Sequence, residues 1–269
     1  MTEPRARLRA AACSDIGPHR ATNQDAAFTA PWGAAVADGV GGGPAGDLAS
    51  AAFIHRLAAG RLDGLEPVQL ADTVRSANWD LRAHVERDPS LSGMATTFTG
   101  LFASRDGGLL LAHTGDSRAY RLRDGHLVQQ SRDDSLVQAL VDQGLVSMAD
   151  AASHPRRNII TASLSGAERD AATVTTHDAL PGDRWLLCSD GLTDYVPDEE
   201  IRVLMVQNRD AAATAEACVS LALLAGSRDN VTVVVCDVVD TLAADWSAPA
   251  ATTFHGAAAE RFMEGLESA

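Results

Sequence analysis

The sequence predicts an α+β fold: a central sandwich of two antiparallel β-sheets, flanked by helix pairs, with a small helical flap. Three observations carry this. Strands recur in pairs across short turns, most clearly 119–123 and 126–130 around Asp124-Gly125, a strong hairpin signal. Helical periodicity comes in consecutive stretches, not in alternation with single strands, which favours α+β over βαβ winding. Apolar residues make up 46% of the 269, with aromatics at only 4%, so a sizeable core must rest mainly on Val, Leu and Ala.

The elements follow in order. Residues 8–14, 26–30 and 34–37 read as strands, the last two joined by Pro31-Trp32-Gly33. Gly41-Gly42-Gly43 lacks the Gly-Lys-Ser/Thr ending of a P-loop and reads as a tight turn. Pro44 suits the first turn of a helix and Gly60 its end. A second helix spans 67–87, where Val74, Ala77, Leu81 and Val85 recur at helical spacing; Trp79 is assigned to the core. Strands at 96–103 and 109–113 flank Asp106-Gly107-Gly108, and His113 is read as packing or hydrogen bonding inside a sheet. Helical pieces at 135–143 and 148–153 form the flap, about 135–157. Strands at 172–176 and 185–188 precede helices at 198–207 and 211–224, and 230–238 is apolar enough to be a central strand. Residues 1–241 thus form one domain, and 242–269 read as a linker-like tail with a weak helix at 257–266.

Several partner classes are not expected. The formal net charge is -14 and no Lys/Arg run is present, which disfavours a nucleic-acid backbone. No stretch approaches the ~20 apolar residues that span a bilayer, and the first residues lack the apolar core of a signal peptide. Cys13, Cys188, Cys218 and Cys236 form no CxxC pair, which argues against a zinc ribbon and suits reduced thiols in a cytoplasmic protein.

Four aspartates share one context. Asp38 follows Ala-Ala-Val-Ala, Asp190 follows Leu-Leu-Cys-Ser, Asp116 follows His-Thr-Gly, and Asp229 precedes the apolar 230–238 run. Each sits where a core strand meets a loop. Taken singly, Asp-Gly and Gly-Asp pairs are turn residues. Converging, they would repel by about 4 kcal/mol per pair at ~4 Å in an effective dielectric of ~20, a cost that cations relieve. Oxygen donors without a Cys/His set favour Mg²⁺ or Mn²⁺ over Zn²⁺.

The chain carries an ordered set of segments: Ser14-Asp15-Ile16-Gly17-Pro18-His19-Arg20-Ala21-Thr22-Asn23-Gln24-Asp25, Ala37-Asp38-Gly39-Val40, Gly93-Met94-Ala95-Thr96-Thr97, Thr114-Gly115-Asp116-Ser117-Arg118, Ser131-Arg132-Asp133-Asp134, His154-Pro155-Arg156-Arg157-Asn158, Cys188-Ser189-Asp190-Gly191 and Arg228-Asp229-Asn230-Val231-Thr232. This set resembles the PPM family, the type 2C metal-dependent Ser/Thr protein phosphatases, in its compact bacterial form. The resemblance implies two Mn²⁺ or Mg²⁺ ions, with a weaker third. Asp38 would bridge the pair and the Gly39 carbonyl would bind the second ion. Asp190 and Asp229 would hold the first, Asp116 with Asp190 the third, and Asp25 would lie in or just behind the shell. Arg20 would grip the phosphate through its planar fork. The implied reaction is direct hydrolysis of phosphoserine and phosphothreonine on proteins by a water activated between the ions. Expected partners are Ser/Thr kinases and their substrates, with a monomeric chain.

Two positions depart from the family pattern. Gln24 replaces a Glu common among relatives, a weaker ligand for a metal or its water. Val40 stands where animal-type members place a His that is a proposed general acid. The competing expectation is a catalytically silent domain of this type that binds phosphoproteins or regulates a kinase; a partner-switching phosphatase fits less well, because those usually carry sensory domains.

Overall fold

The computed structural model describes residues 6–40, 45–60, 62–151, 154–208, 210–239 and 252–261. The chain runs β1 (Arg7–Asp15), β2 (Asp25–Ala30), β3 (Gly33–Val40), α1 (Gly46–Ala58), α2 (Pro67–Arg87), β4 (Ala95–Thr96), β5 (Phe98–Ala103), β6 (Leu109–Thr114), β7 (Arg118–Arg123) and β8 (His126–Gln129). It continues through α3 (Leu136–Asp142), α4 (Met148–Ala151), β9 (Thr173–His177), β10 (Arg184–Cys188), α5 (Asp190–Thr193), α6 (Asp198–Gln207), α7 (Ala211–Leu224), β11 (Val231–Val239) and β12 (Thr253–Gly256). One sheet has the order β1-β11-β10-β7-β8 and the other β12-β2-β3-β5-β6-β9, with β4 attached to β3. Every strand pair is antiparallel.

Both faces of the central strands are covered, which is why those strands read as continuous apolar runs. On β11, Val231, Val233 and Val235 pack beneath α6 and α7, while Val234, Cys236 and Val238 point into the seam between the sheets. On β3, Ala35 and Ala37 lie under α1 and α2, and Ala34 and Val36 face the same seam. The result is four layers, helix–sheet–sheet–helix, as the sequence predicts.

Local chemistry explains the helix ends. Pro67 opens α2, and the Gln69 side chain accepts from the Glu66 backbone N–H at 2.9 Å, one half of a capping box. Leu70, Val74, Ala77 and Leu81 form its buried stripe. Trp79 does not join them, contrary to the sequence assignment: it is 54% exposed. Two steps past Ala77 rotate a side chain by about 200° around the helix axis, onto the solvent face. The buried neighbour is Asn78, which accepts from Gly166 N at 2.8 Å and donates to the Ala167 carbonyl at 3.0 Å.

Two further expectations are corrected. The 96–103 strand is broken at Thr97 into β4 and β5, because the Thr97 hydroxyl accepts from Asp38 N at 3.0 Å while Thr97 N donates to the Asp38 carbonyl at 2.8 Å. The linker-like tail does not extend over 252–261: residues 253–256 pair with β2, and Ala257 and Ala258 are buried in the core. The parts of that tail at 242–251 and 262–269, which include the end of the expected 257–266 helix, and the Gly41-Gly42-Gly43 turn, lie outside the described residues. His113 is buried between Thr99 Oγ1 and the Arg132 carbonyl, both at 2.9 Å from its ring nitrogens, matching its reading as a sheet residue.

Candidate metal centre

Strand direction brings the aspartates together. Asp38 sits near the end of β3, with Asp25 directly opposite it at the start of β2, so their side chains share one face of the sheet. In the other sheet β10 ends at Cys188 opposite Val233 of β11. Ser189 N then donates to the Thr232 carbonyl at 3.1 Å. Asp190, which opens α5, and Asp229, which precedes β11, therefore emerge side by side. Asp116 lies in the turn from β6 to β7, whose start faces the end of β10. All five occupy one end of the sandwich.

Two glycines make the approach possible. A Cβ on Gly39 would collide with the carbonyl of Gly46 at the start of α1, and one on Gly191 with the carbonyl of Asn230. Both obstacles are backbone, so no side-chain movement relieves them.

A cleft of 210 Å³ is lined by Arg20, Gln24, Asp38, Gly39, Val40, Thr97, Asp116, Asn158, Ile160, Asp190 and Asp229. Asp25 lies behind this lining, 1% exposed, its Oδ2 accepting from Ser189 Oγ at 2.7 Å. Burial, and then the charges of Asp25, Asp190, Asp116 and Asp229, hold the Asp38 carboxyl well above the usual range. Asp190 is raised in the same way by burial, then by Asp116 and Asp229. Burial, with Asp133 next, lifts Asp116 to about 7. Asp25 is lifted to about 6 by burial, the Ser189 hydrogen bond working against the shift.

Among the described residues no three His, Cys, Asp or Glu side chains are already drawn into an ion-holding group. Asp229 is engaged elsewhere: its Oδ2 accepts from Arg20 Nη2 at 2.6 Å and its Oδ1 from Asn230 N at 2.8 Å. The donor chemistry nonetheless fits a hard divalent cation. Five carboxylates and a backbone carbonyl share one end of the fold. Asp25 Oδ1 and Asp190 Oδ1 are buried with no hydrogen-bond partner among the described residues, an arrangement that is costly without an electropositive partner.

Sequence reasoning names the carboxylates and Arg20 but gives no role to Asn230 or Ser189. Asn230 is 3% exposed. Its Oδ1 accepts from Gln24 N at 2.9 Å, and its Nδ2 donates to the carbonyls of Ile16 at 2.8 Å and Thr22 at 3.1 Å. It thereby ties the segment carrying Arg20 to the start of β11. The available signal was its adjacency to Asp229 at the head of an apolar strand.

The flap borders the site. A second cavity of 300 Å³ lies between α3, α4 and the α5–α6 region, and shares Asp116 and Asp190 with the first. Arg157, following α4, pairs with Asp194 at 3.3 Å.

Residues 19–224 match the family model described as Protein phosphatase 2C. The chain belongs to the protein phosphatase 2C family. Among curated relatives, the serine/threonine protein phosphatase PstP of Mycobacterium tuberculosis is 47% identical over 239 residues, 87% of this chain and 45% of PstP. The chain thus spans less than half the length of that relative. The serine/threonine phosphatase stp of Listeria monocytogenes is 32% identical over 207 residues, 74% of this chain and 82% of that one. Among solved structures, the catalytic domain of PstP in complex with two manganese ions aligns with a TM-score of 0.79 and 44% identity, covering 87% of this chain and 100% of that one. The likeness extends through both sheets, so the protein phosphatase 2C fold is the frame on which these aspartates stand.

Proposed function

We propose that this chain hydrolyses phosphoserine and phosphothreonine on proteins with two Mn²⁺ or Mg²⁺ ions held at the aspartate cluster. The carrying observation is the convergence of Asp38, Asp116, Asp190 and Asp229 at one cleft with Asp25 buried behind it, Asp25 Oδ1 and Asp190 Oδ1 being buried with no hydrogen-bond partner among the described residues. Asp38 and the Gly39 carbonyl would hold both ions, Asp190 and Asp229 would complete the first position, and Asp116 with Asp190 would offer a weaker third. Asp25 supports the shell from behind. Bound cations would neutralise charge on the phosphoryl oxygens and acidify a water.

The chain's own groups do the rest. Arg20 reaches the cleft from an exposed segment and hydrogen-bonds Asp229; turned from that carboxylate, its fork presents two N–H groups to a phosphate. Val40 carries no proton, so the leaving oxygen is protonated by solvent or by a group other than residue 40. The flap presents exposed Leu145 and Met148, with exposed Ile159 just beyond it, and we place choice of protein substrate on the flap. The expected substrates are phosphorylated proteins, including Ser/Thr kinases and their targets, met as a monomer in the cytoplasm. Among the described residues no helix is long and apolar enough to cross a membrane.

The test is hydrolysis of p-nitrophenyl phosphate and a phosphothreonine peptide with EDTA, Mg²⁺ or Mn²⁺, for the parent and Asp229→Asn. Cation-dependent turnover lost in the variant is expected. A folded parent inactive with every cation would favour the silent binding domain, with Gln24→Glu as the next variant.

A further inference from the structure

The last described segment is remote from every sequence motif but close to the metal centre. β12 pairs antiparallel to β2, Thr253 opposite Thr29 and Gly256 opposite Ala26. It also touches β1, the edge strand of the opposite sheet. β12 therefore closes the side of the sandwich where the two sheets meet beside Asp25.

Its closest approach is at Gly256. This residue has φ +61, and a Cβ there would collide with the Asp25 carbonyl and lie 2.8 Å from Ser14 Oγ. That serine is already committed, sharing a hydrogen bond with Thr232 Oγ1 at 2.7 Å and accepting from Asn23 Nδ2 at 2.9 Å. Beyond Gly256 the chain turns helical. Ala257 and Ala258 enter the core at 1% and 0% exposure, and the Ala258 carbonyl accepts from His55 Nε2 of α1 at 2.8 Å. Arg261 pairs with Asp47 in the first turn of α1. That turn begins at Gly46, whose carbonyl packs against Gly39.

We propose that residues 253–261 are a strap that fixes Asp25 from behind and the start of α1 from the side, so that Gly256 and Arg261 are positioning residues for the cation site. The family match covers residues 19–224, so the strap, like β11, lies outside the matched region. The proposal rests on the metal-centre reading above. Groups behind a metal shell typically change affinity by about 10–100-fold when altered, and the strap holds two such supports at once.

The experiment uses the full chain with Gly256→Val and Arg261→Ala, measured by Mn²⁺ calorimetry and amide hydrogen exchange. In Gly256→Val, faster exchange at residues 25–30 and a Mn²⁺ Kd raised by about tenfold are expected. Arg261→Ala leaves the strand interior intact and is expected to raise the Kd by a smaller factor than Gly256→Val; it carries the test should Gly256→Val fail to fold. Faster β2 exchange with a Kd within twofold of the parent would reduce the strap to an edge cover and overturn the proposal. Unchanged β2 exchange in Gly256→Val would refute the close approach on which it stands. A parent that binds no Mn²⁺ would overturn the metal centre itself, whereas a binding parent with unaffected variants overturns the strap alone.

Discussion

Asn230→Ala removes one side chain and three hydrogen bonds that hold the Arg20 segment against β11. The Gln24 N–H is buried, and leaving such a donor unpaired costs about 1–3 kcal/mol. Ile16 and Thr22 are exposed residues, so their carbonyls can turn to water, and each lost bond there costs roughly 0.5–1 kcal/mol. The sum is about 3 kcal/mol, or a melting temperature lowered by ~6–12 °C at 2–4 °C per kcal/mol for a chain of this size. The loosened segment carries Arg20, so KM for a phosphopeptide should rise more than kcat falls. The assay is a thermal melt paired with steady-state kinetics at saturating Mn²⁺. A melting temperature within 2 °C of the parent together with an unchanged KM would refute the role given to Asn230.

Three further outcomes follow from the same geometry. With EDTA, Asp116 is raised to about 7, so the folded chain holds a proton that the unfolded chain releases near pH 4, and stability falls as pH rises through that window. Buried His113 and half-buried His177 and His255 are pushed down by desolvation and act in the opposite sense, so the readout is the difference from Asp116→Asn: the variant's advantage in melting temperature should grow from pH 5 to 7.5 and vanish with Mn²⁺. Gly191→Ala drives a Cβ into the Asn230 carbonyl; a loss of about 1–3 kcal/mol is expected, with weakened Mn²⁺ binding, read by urea melts and calorimetry. Trp79→Ala, on the solvent face of α2, should change stability by no more than about 0.5 kcal/mol in the same melts.

Periodicity and turn chemistry made most of the fold legible. β11 is apolar on both faces because a helix layer and a second sheet cover it, and that double burial is written directly into Val231–Val239. The break at Thr97 was not legible, since it arises from a pairing with Asp38 across 59 positions of sequence. Nor was β12, four residues whose partner lies over two hundred positions away. Trp79 is large and apolar, but its angle on α2, about 200° from buried Ala77, puts it on the solvent face. At the site, the motif residues and their strand-end context could be named from sequence. That Asp25 and Asp38 oppose each other across a register, and that Ser189 and Asn230 tie the two sheets together, are facts of pairing that composition and spacing do not encode.

Asp38 is the proposed bridge between two cations, and the direct test is the number of Mn²⁺ ions retained per chain after equilibration and desalting, for the parent and Asp38→Asn. Two ions in the parent and none tightly held in the variant is the expected result. A parent that retains no Mn²⁺, or a variant that still retains two, would contradict a cation centre built on Asp38.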